Sequence, residues 1–198
     1  TKTILDGELG DERRKVLWTP EDEIGLYAKG SQTNSLTKFV NQEIENTKKA
    51  KFDGEIEFSE EYYAIYPYSG SNILWYNESE ATGTHYSILF DIPNIQKYQN
   101  GSFAPNTSPM VAKARYGETL NFQNLCGLLA LRLTGEEKVS SITFSGKDAT
   151  GNTMYVSGAF HVVMDYEGAL LQGIIDVFWL EGEKIVLLDY KTDRVKEE

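Results

Sequence analysis

Apolar and polar positions alternate with a period of two along much of this chain, most clearly over Asn121–Gly146, NFQNLCGLLALRLTGEEKVSSITFSG. Leu129, Leu131 and Leu133 fall on one side of an extended chain, and Ala130, Arg132 and Thr134 on the other. Ile142 and Phe144 then alternate with Ser141, Thr143 and Ser145. Successive side chains of a strand point to opposite faces, so the pattern predicts two half-buried strands. Gly135-Glu136-Glu137-Lys138 has the polarity of a turn, and Gly146 closes the second run. The expectation is a hairpin at the centre of an all-β domain.

The same pattern predicts short strands elsewhere. Lys2–Leu5 reads as an edge strand within a polar start. Val16-Leu17-Trp18 is stopped by Thr19-Pro20, and Ile24–Ala28 and Lys38-Phe39-Val40 follow. Phe52, Ile56 and Phe58 are spaced for one face of a strand. Tyr62–Tyr68, YYAIYPY, is rich in strand formers and closes with Pro67. Trp75-Tyr76 and Tyr86–Pro93 come next, then a loop over Asn94–Pro109 and a strand over Met110–Arg115. Beyond the turn at Asp148–Asn152, Thr153–Gly158 and Ala159–Val163 complete the set. Asn41–Ala50 has some helical composition but little apolar face, and reads as loop or frayed helix. Short strands separated by turns predict a mainly-β fold, an antiparallel β-sandwich.

A length of 198 residues suits one domain or one domain with an appendage, and can bury a core without disulfides or metals. Cys126 is the single cysteine, which excludes an internal disulfide framework; between Leu125 and Gly127-Leu128 it reads as a small buried hydrophobe. The net charge of −11 argues against a phosphate-binding surface over most of the chain. No apolar run approaches the roughly 20 residues of a spanning helix, and no signal peptide is visible. The start at Thr1 suggests a trimmed chain or a fragment. Arg13-Arg14 reads as a solvated pair and Glu21-Asp22-Glu23 as a solvated acidic turn. His85 and His161 have no partner at metal-ligand spacing. The aromatics of Tyr62–Tyr76 fit a core with an amphipathic rim, or a sugar-stacking platform in a glycan-binding sandwich. No nucleophile–base pair, phosphate loop or zinc spacing appears before Gly168.

Several phrases up to Gly168, taken in their order, resemble the fimbrillin family of Bacteroidales surface proteins. They are Val16–Ala28 (VLWTPEDEIGLYA), Tyr63–Tyr68 (YAIYPY), Pro109–Ala112 (PMVA), and Leu120–Gly135 with Ser140–Gly146 (LNFQNLCGLLALRLTG, SSITFSG). The resemblance implies a transthyretin-like sandwich over residues 1–168, displayed at the outer membrane of the cell surface in a parent protein. It implies a fimbrial or adhesion-related subunit without enzymatic activity. Its partners would be other pilin-like subunits, joined by strand addition, or ligands on host or bacterial surfaces. The second sandwich domain and the lipid-bearing cysteine of the family have no counterpart here.

Leu170–Val195, LLQGIIDVFWLEGEKIVLLDYKTDRV, resembles instead the nuclease core of AddA-type helicase–nucleases, of the PD-(D/E)XK superfamily. The carrying motifs are Gln172–Asp176 and Asp189–Asp193. Leu170–Trp179 and Lys184–Tyr190 read as a C-terminal β-hairpin, residues 169–198 forming a segment of their own. A turn centred between Gly182 and Glu183 sets Asp176 opposite Asp189, with Lys191 on the same face. Under this alternative Asp176 and Asp189 hold Mg²⁺, Lys191 orients the attacking water near a DNA phosphate, and the parent is cytoplasmic. The site is incomplete, because the family's further motifs are missing. Two families meeting near Gly168–Leu170 make the chain a composite: a misassembled frame, an engineered fusion or, more remotely, a natural exported nuclease. The apolar hairpin is expected to pack onto the sandwich or pair with an open edge.

Overall fold

The computed structural model describes residues 3–7, 15–79, 83–129, 131, 133–136, 138–148, 150–164, 177–181 and 184–188. Among these, every regular element is a strand. In chain order they are β1 (Ile4–Leu5), β2 (Val16–Leu17), β3 (Glu23–Ala28), β4 (Thr37–Asn41), β5 (Phe52–Asp53), β6 (Glu61–Tyr66), β7 (Leu74–Ser79) and β8 (Gly83–Ile92). There follow β9 (Met110–Arg115), β10 (Gln123–Asn124), β11 (Gly146–Lys147), β12 (Thr153–Met154), β13 (Gly158–Val163), β14 (Val177–Glu181) and β15 (Lys184–Leu188). A six-stranded antiparallel sheet runs β10-β9-β6-β3-β4-β5, and a three-stranded one runs β13-β8-β7. The pairs β1–β2, β11–β12 and β14–β15 stand as separate two-stranded ribbons.

The two larger sheets make a sandwich, and its core explains the order of the strands. Tyr27, Tyr63 and Ile65 of the six-stranded sheet pack against Leu74, Tyr86, Ile88 and Phe90 of the three-stranded one. The reverse face of the six-stranded sheet is buried too. There Ile24, Leu26, Ala64, Tyr66, Met110 and Ala112 meet Val16, Trp18, Phe52 and Phe122. Strands β3 and β6 are therefore covered on both sides, and a strand buried on both faces loses its polar alternation. That is why YAIY and IGLYA read as nearly continuous apolar runs. Each fully buried large side chain contributes roughly 1.5–3 kcal/mol of transfer free energy. Trp18 closes the outer layer, its ring meeting those of Phe52, Tyr66 and Phe122 edge-on at centroid distances of 5.0, 5.3 and 5.2 Å.

Several local expectations are corrected, among them the strand expected over Thr153–Gly158, which stops at Met154. The hairpin expected over Asn121–Gly146 does not form: only Gln123–Asn124 and Gly146 belong to strands among its described residues. Leu133, Ile142 and Phe144 are exposed by 51%, 40% and 41%. The cause is the loss of a template. β10 pairs with the start of β9, and Leu125 N–H still reaches the Pro109 carbonyl at 2.9 Å. Pro109 has no N–H with which to extend the ladder, and a strand without a neighbour leaves its backbone groups to water. Likewise the strand expected through Phe52, Ile56 and Phe58 ends at Asp53, and Phe58 stands in a loop. The C-terminal hairpin is present: β14 pairs with β15 from Val177↔Leu188 to Glu181↔Lys184, a register centred between residues 182 and 183.

Candidate functional site

Asp176, Asp189 and Lys191, the residues expected to bind Mg²⁺ and orient water, lie outside the described residues. The β14–β15 register agrees with the one that sets Asp176 opposite Asp189, and that is as far as the described backbone reaches. Among the described residues no group of three His, Cys, Asp or Glu is placed to hold a metal ion. His161 is exposed on β13, opposite Leu89, and the backbone of His85 pairs with Asn77. Cys126 is half-buried, and burial pushes its thiol pKa up, away from a reactive thiolate. The exposed Asp148 carboxylate is held at about 2 by the Thr150 hydroxyl, the Asn152 side chain and the backbone N–H groups of Asn152 and Thr150. Its acceptor sites are filled by its own turn.

The aromatic run divides as its strand geometry requires. Tyr63 and Tyr66 are buried, one on each face of β6. Trp75 and Tyr76 are about half exposed on β7. Tyr76 leans on Tyr86 at 5.2 Å, so it belongs to the core rim, whereas Trp75 opposes Ser87 on the other face of the three-stranded sheet.

Asp22 departs furthest from its expectation. It is fully buried, not a solvated acidic turn. Thr19 N–H donates to its Oδ2 at 2.7 Å and the Tyr66 hydroxyl to its Oδ1 at 3.1 Å. The same hydroxyl accepts from Thr3 N–H at 2.9 Å, tying the start of the chain to the end of β6. Asn41 completes the knot, donating its N–H to the Asp22 carbonyl and its side-chain amide to the Thr19 carbonyl. Burial pushes the Tyr66 phenol pKa well above its ordinary 10.0. Asp22 is therefore an acceptor hub that anchors the fold.

At one end of the six-stranded sheet β3 finishes, β6 begins and β9 finishes, and a groove of about 990 Å³ opens there. Its walls are Ala28–Ser31, Glu57–Glu61, Arg115 and Tyr116. The wall strand is fixed by backbone bonds: Lys29 N–H to the Glu61 carbonyl and Tyr116 N–H to the Glu60 carbonyl, both 3.0 Å. Ser59 N–H donates to the Tyr62 hydroxyl at 2.8 Å, and the Ser59 hydroxyl lies 3.0 Å from the Lys29 carbonyl and 2.8 Å from that of Glu61. Tyr116 sits in a turn closed by Glu118 N–H to the Arg115 carbonyl, with Gly117 at φ 84°, a conformation that favours glycine. Phe58 and Tyr116 meet at 5.2 Å with their rings inclined by 63°. They are 73% and 69% exposed, so this aromatic corner faces water on a scaffold that is held in place. The sequence pattern set Phe58 on the face of a strand and did not mark Tyr116; the available signal was a phenylalanine in the polar stretch Glu57-Phe58-Ser59-Glu60.

Beside it, Glu61 links β6 to β9 and to the turn that follows β3. Burial raises its pKa, but hydrogen bonds and charges from Lys29 and Lys113 outweigh this and leave the carboxyl below its ordinary value. Its oxygens stand 2.6 Å from Lys29 Nζ and 3.5 Å from Lys113 Nζ. Both ammonium groups lie over the Tyr63 ring at 5.7 Å.

A second surface is defined by pairing. Among the described residues β13 has a ladder on one side only, towards β8. β7 is covered at its start, where Leu74 N–H meets the Asn34 carbonyl and Ser35 bridges Ile73. The stretch between β10 and β13 joins an edge strand of one sheet to an edge strand of the other. Within it Leu133, Val139, Ile142, Phe144, Met154 and Tyr155 are exposed. In comparison with known proteins, the chain matches no family model, no curated protein and no solved structure.

Proposed function

We propose that this chain is a fimbrillin-like structural or adhesion subunit of a cell surface, with a transthyretin-like sandwich and no enzymatic chemistry of its own, that joins neighbouring subunits by strand addition. One observation supports this reading above the others. The described residues of 129–144, a segment with strand periodicity, stand outside every sheet with Leu133, Val139, Ile142 and Phe144 exposed, while the edge strand β13 is paired on one side only among the described residues. A strand without a ladder and a ladder without a strand are the two halves of a β-augmentation contact, in which backbone hydrogen bonds supply affinity and side-chain pockets supply specificity. Light scattering after size exclusion, with electron microscopy of the full-length parent, tests the proposal. Ordered oligomers or filaments at the cell surface are expected, and a strictly monomeric cytoplasmic protein refutes it.

The hairpin register favours a second reading, a fragment of an Mg²⁺-dependent PD-(D/E)XK nuclease. The ladder from Glu181↔Lys184 to Val177↔Leu188 is the register that reading requires. It assigns Asp176 and Asp189 to the metal and Lys191 to the water, and DNA to the list of partners. Plasmid nicking in magnesium compares the chain with Asp189→Ala; equal signals, or none, dismiss it.

A further inference from the structure

We infer that the corner between Phe58 and Tyr116 is a binding site for a neutral saccharide. The inference goes beyond assembly and does not depend on it: the groove is built from one chain, and a monomer that never polymerises keeps it.

The exposure of the pair is the first argument. Two large rings, 73% and 69% exposed, are presented to water by backbone that is not free to relax. Ser59 and Tyr62 fix the strand beside Phe58, and the Arg115–Glu118 turn fixes Tyr116. Preorganised aromatic side chains lose little conformational freedom on binding, which is what makes them effective anchors. The shape is the second argument. Rings inclined by 63° with centroids 5.2 Å apart form an angled surface and not a flat patch.

The chemistry of the walls selects the ligand class. A saccharide has an apolar C–H face, which suits the electron-rich face of a ring, and a rim of hydroxyls that both donate and accept. Around the aromatic corner stand Glu57, Glu60, Ser31 and Arg115, which supply acceptors, a hydroxyl and a guanidinium fork. A purely apolar ligand would strip water from the Glu57, Glu60 and Arg115 side chains and put nothing polar in its place. An anionic one is disfavoured, because Glu57, Glu60 and Glu61 line the groove against Lys29 and Arg115, and Lys29 is already paired with Glu61. A neutral sugar matches both features.

Native electrophoresis of the full chain through gels containing laminarin, dextran, xyloglucan, galactomannan or yeast mannan tests this, with polygalacturonate and heparin as acidic counterparts. The expected result is retardation by at least one neutral polysaccharide, weakened at least tenfold in Phe58→Ala and in Tyr116→Ala and retained in Phe58→Tyr, which keeps the ring. Circular dichroism shows that each variant is folded. Absence of retardation in every neutral gel overturns the inference. So does retardation that survives either alanine variant, that is lost in Phe58→Tyr, or that is confined to the acidic polysaccharides. Failure here leaves assembly standing, since light scattering reads that separately.

Discussion

At the scale of single residues, two positions carry more than their type suggests. Tyr66 spends its hydroxyl twice, donating to Asp22 and accepting from Thr3 N–H, all of it away from water. Tyr66→Phe keeps the ring against Trp18 but leaves a buried carboxylate and a buried N–H without that partner. A destabilisation of about 1–3 kcal/mol follows, read as a lower urea midpoint with an unchanged slope. Gly54 is the second. A Cβ there would lie 2.7 Å from the Phe39 ring and 2.8 Å from the Lys38 carbonyl oxygen. The ring can shift but the carbonyl is part of the β4 backbone, so Gly54→Ala is expected to cost about 1–3 kcal/mol in the same assay. Asp22 shows why such roles escape a reading of the sequence. An acidic triplet looks the same whether it is solvated or buried, and its partner Tyr66 is 44 residues away.

At the scale of elements, most strands were legible because local pattern and final environment agree. Met110–Arg115 alternates buried and less buried positions as its sequence alternates, and it forms β9 with those bounds. Ile24–Ala28 and Tyr62–Tyr68 announced themselves through apolar density, the mark of strands covered on both faces. The runs either side of Gly135–Lys138 alternate too, and yet none of their described residues belongs to a strand, since pairing depends on a neighbour that the local pattern does not contain. The groove was illegible for a related reason. Phe58 and Tyr116 are far apart in sequence and meet only because β6 and β9 pair, with Glu61 opposite Arg115. The same pairing sets the pH response of Glu61. Its folded pKa lies below the ordinary 4.5, so its contribution is fully present above about that pH and is lost as the pH falls through the folded value. Glu61→Gln should therefore be less stable than the parent at pH 7, by about 0.2–1 kcal/mol for partly exposed pairs. The two chains should converge in acid. Denaturation midpoints taken across that range check this, and a gap that widens in acid contradicts it.

At the scale of the whole molecule, the sandwich is unequal: six strands face three, and the stretch 129–144 between the two edges carries strand periodicity with no strand pairing among its described residues. If association uses that stretch, Ile142 and Phe144 exchange water for a neighbour's surface, each contributing roughly 1.5–3 kcal/mol when fully buried. In the isolated chain neither belongs to the buried clusters on the two faces of the six-stranded sheet, and both are exposed, by about 40%. The double variant Ile142→Lys/Phe144→Lys should thus leave the unfolding free energy of the monomer within about 0.5 kcal/mol of the parent. It should weaken self-association by at least about tenfold, as a desolvated ammonium opposes the contact. Charge adds a second, independent sign. Each copy carries −11, so copies repel at long range, and raising salt to about 0.15 M shortens the screening length to about 8 Å. Association driven by backbone pairing and apolar burial must then strengthen with salt over this interval. Sedimentation velocity on parent and variant at two ionic strengths reads both effects. Self-association that weakens with salt, or that is indifferent to the lysines, would mean that copies meet through charged surfaces elsewhere, leaving the unpaired stretch without a part in assembly.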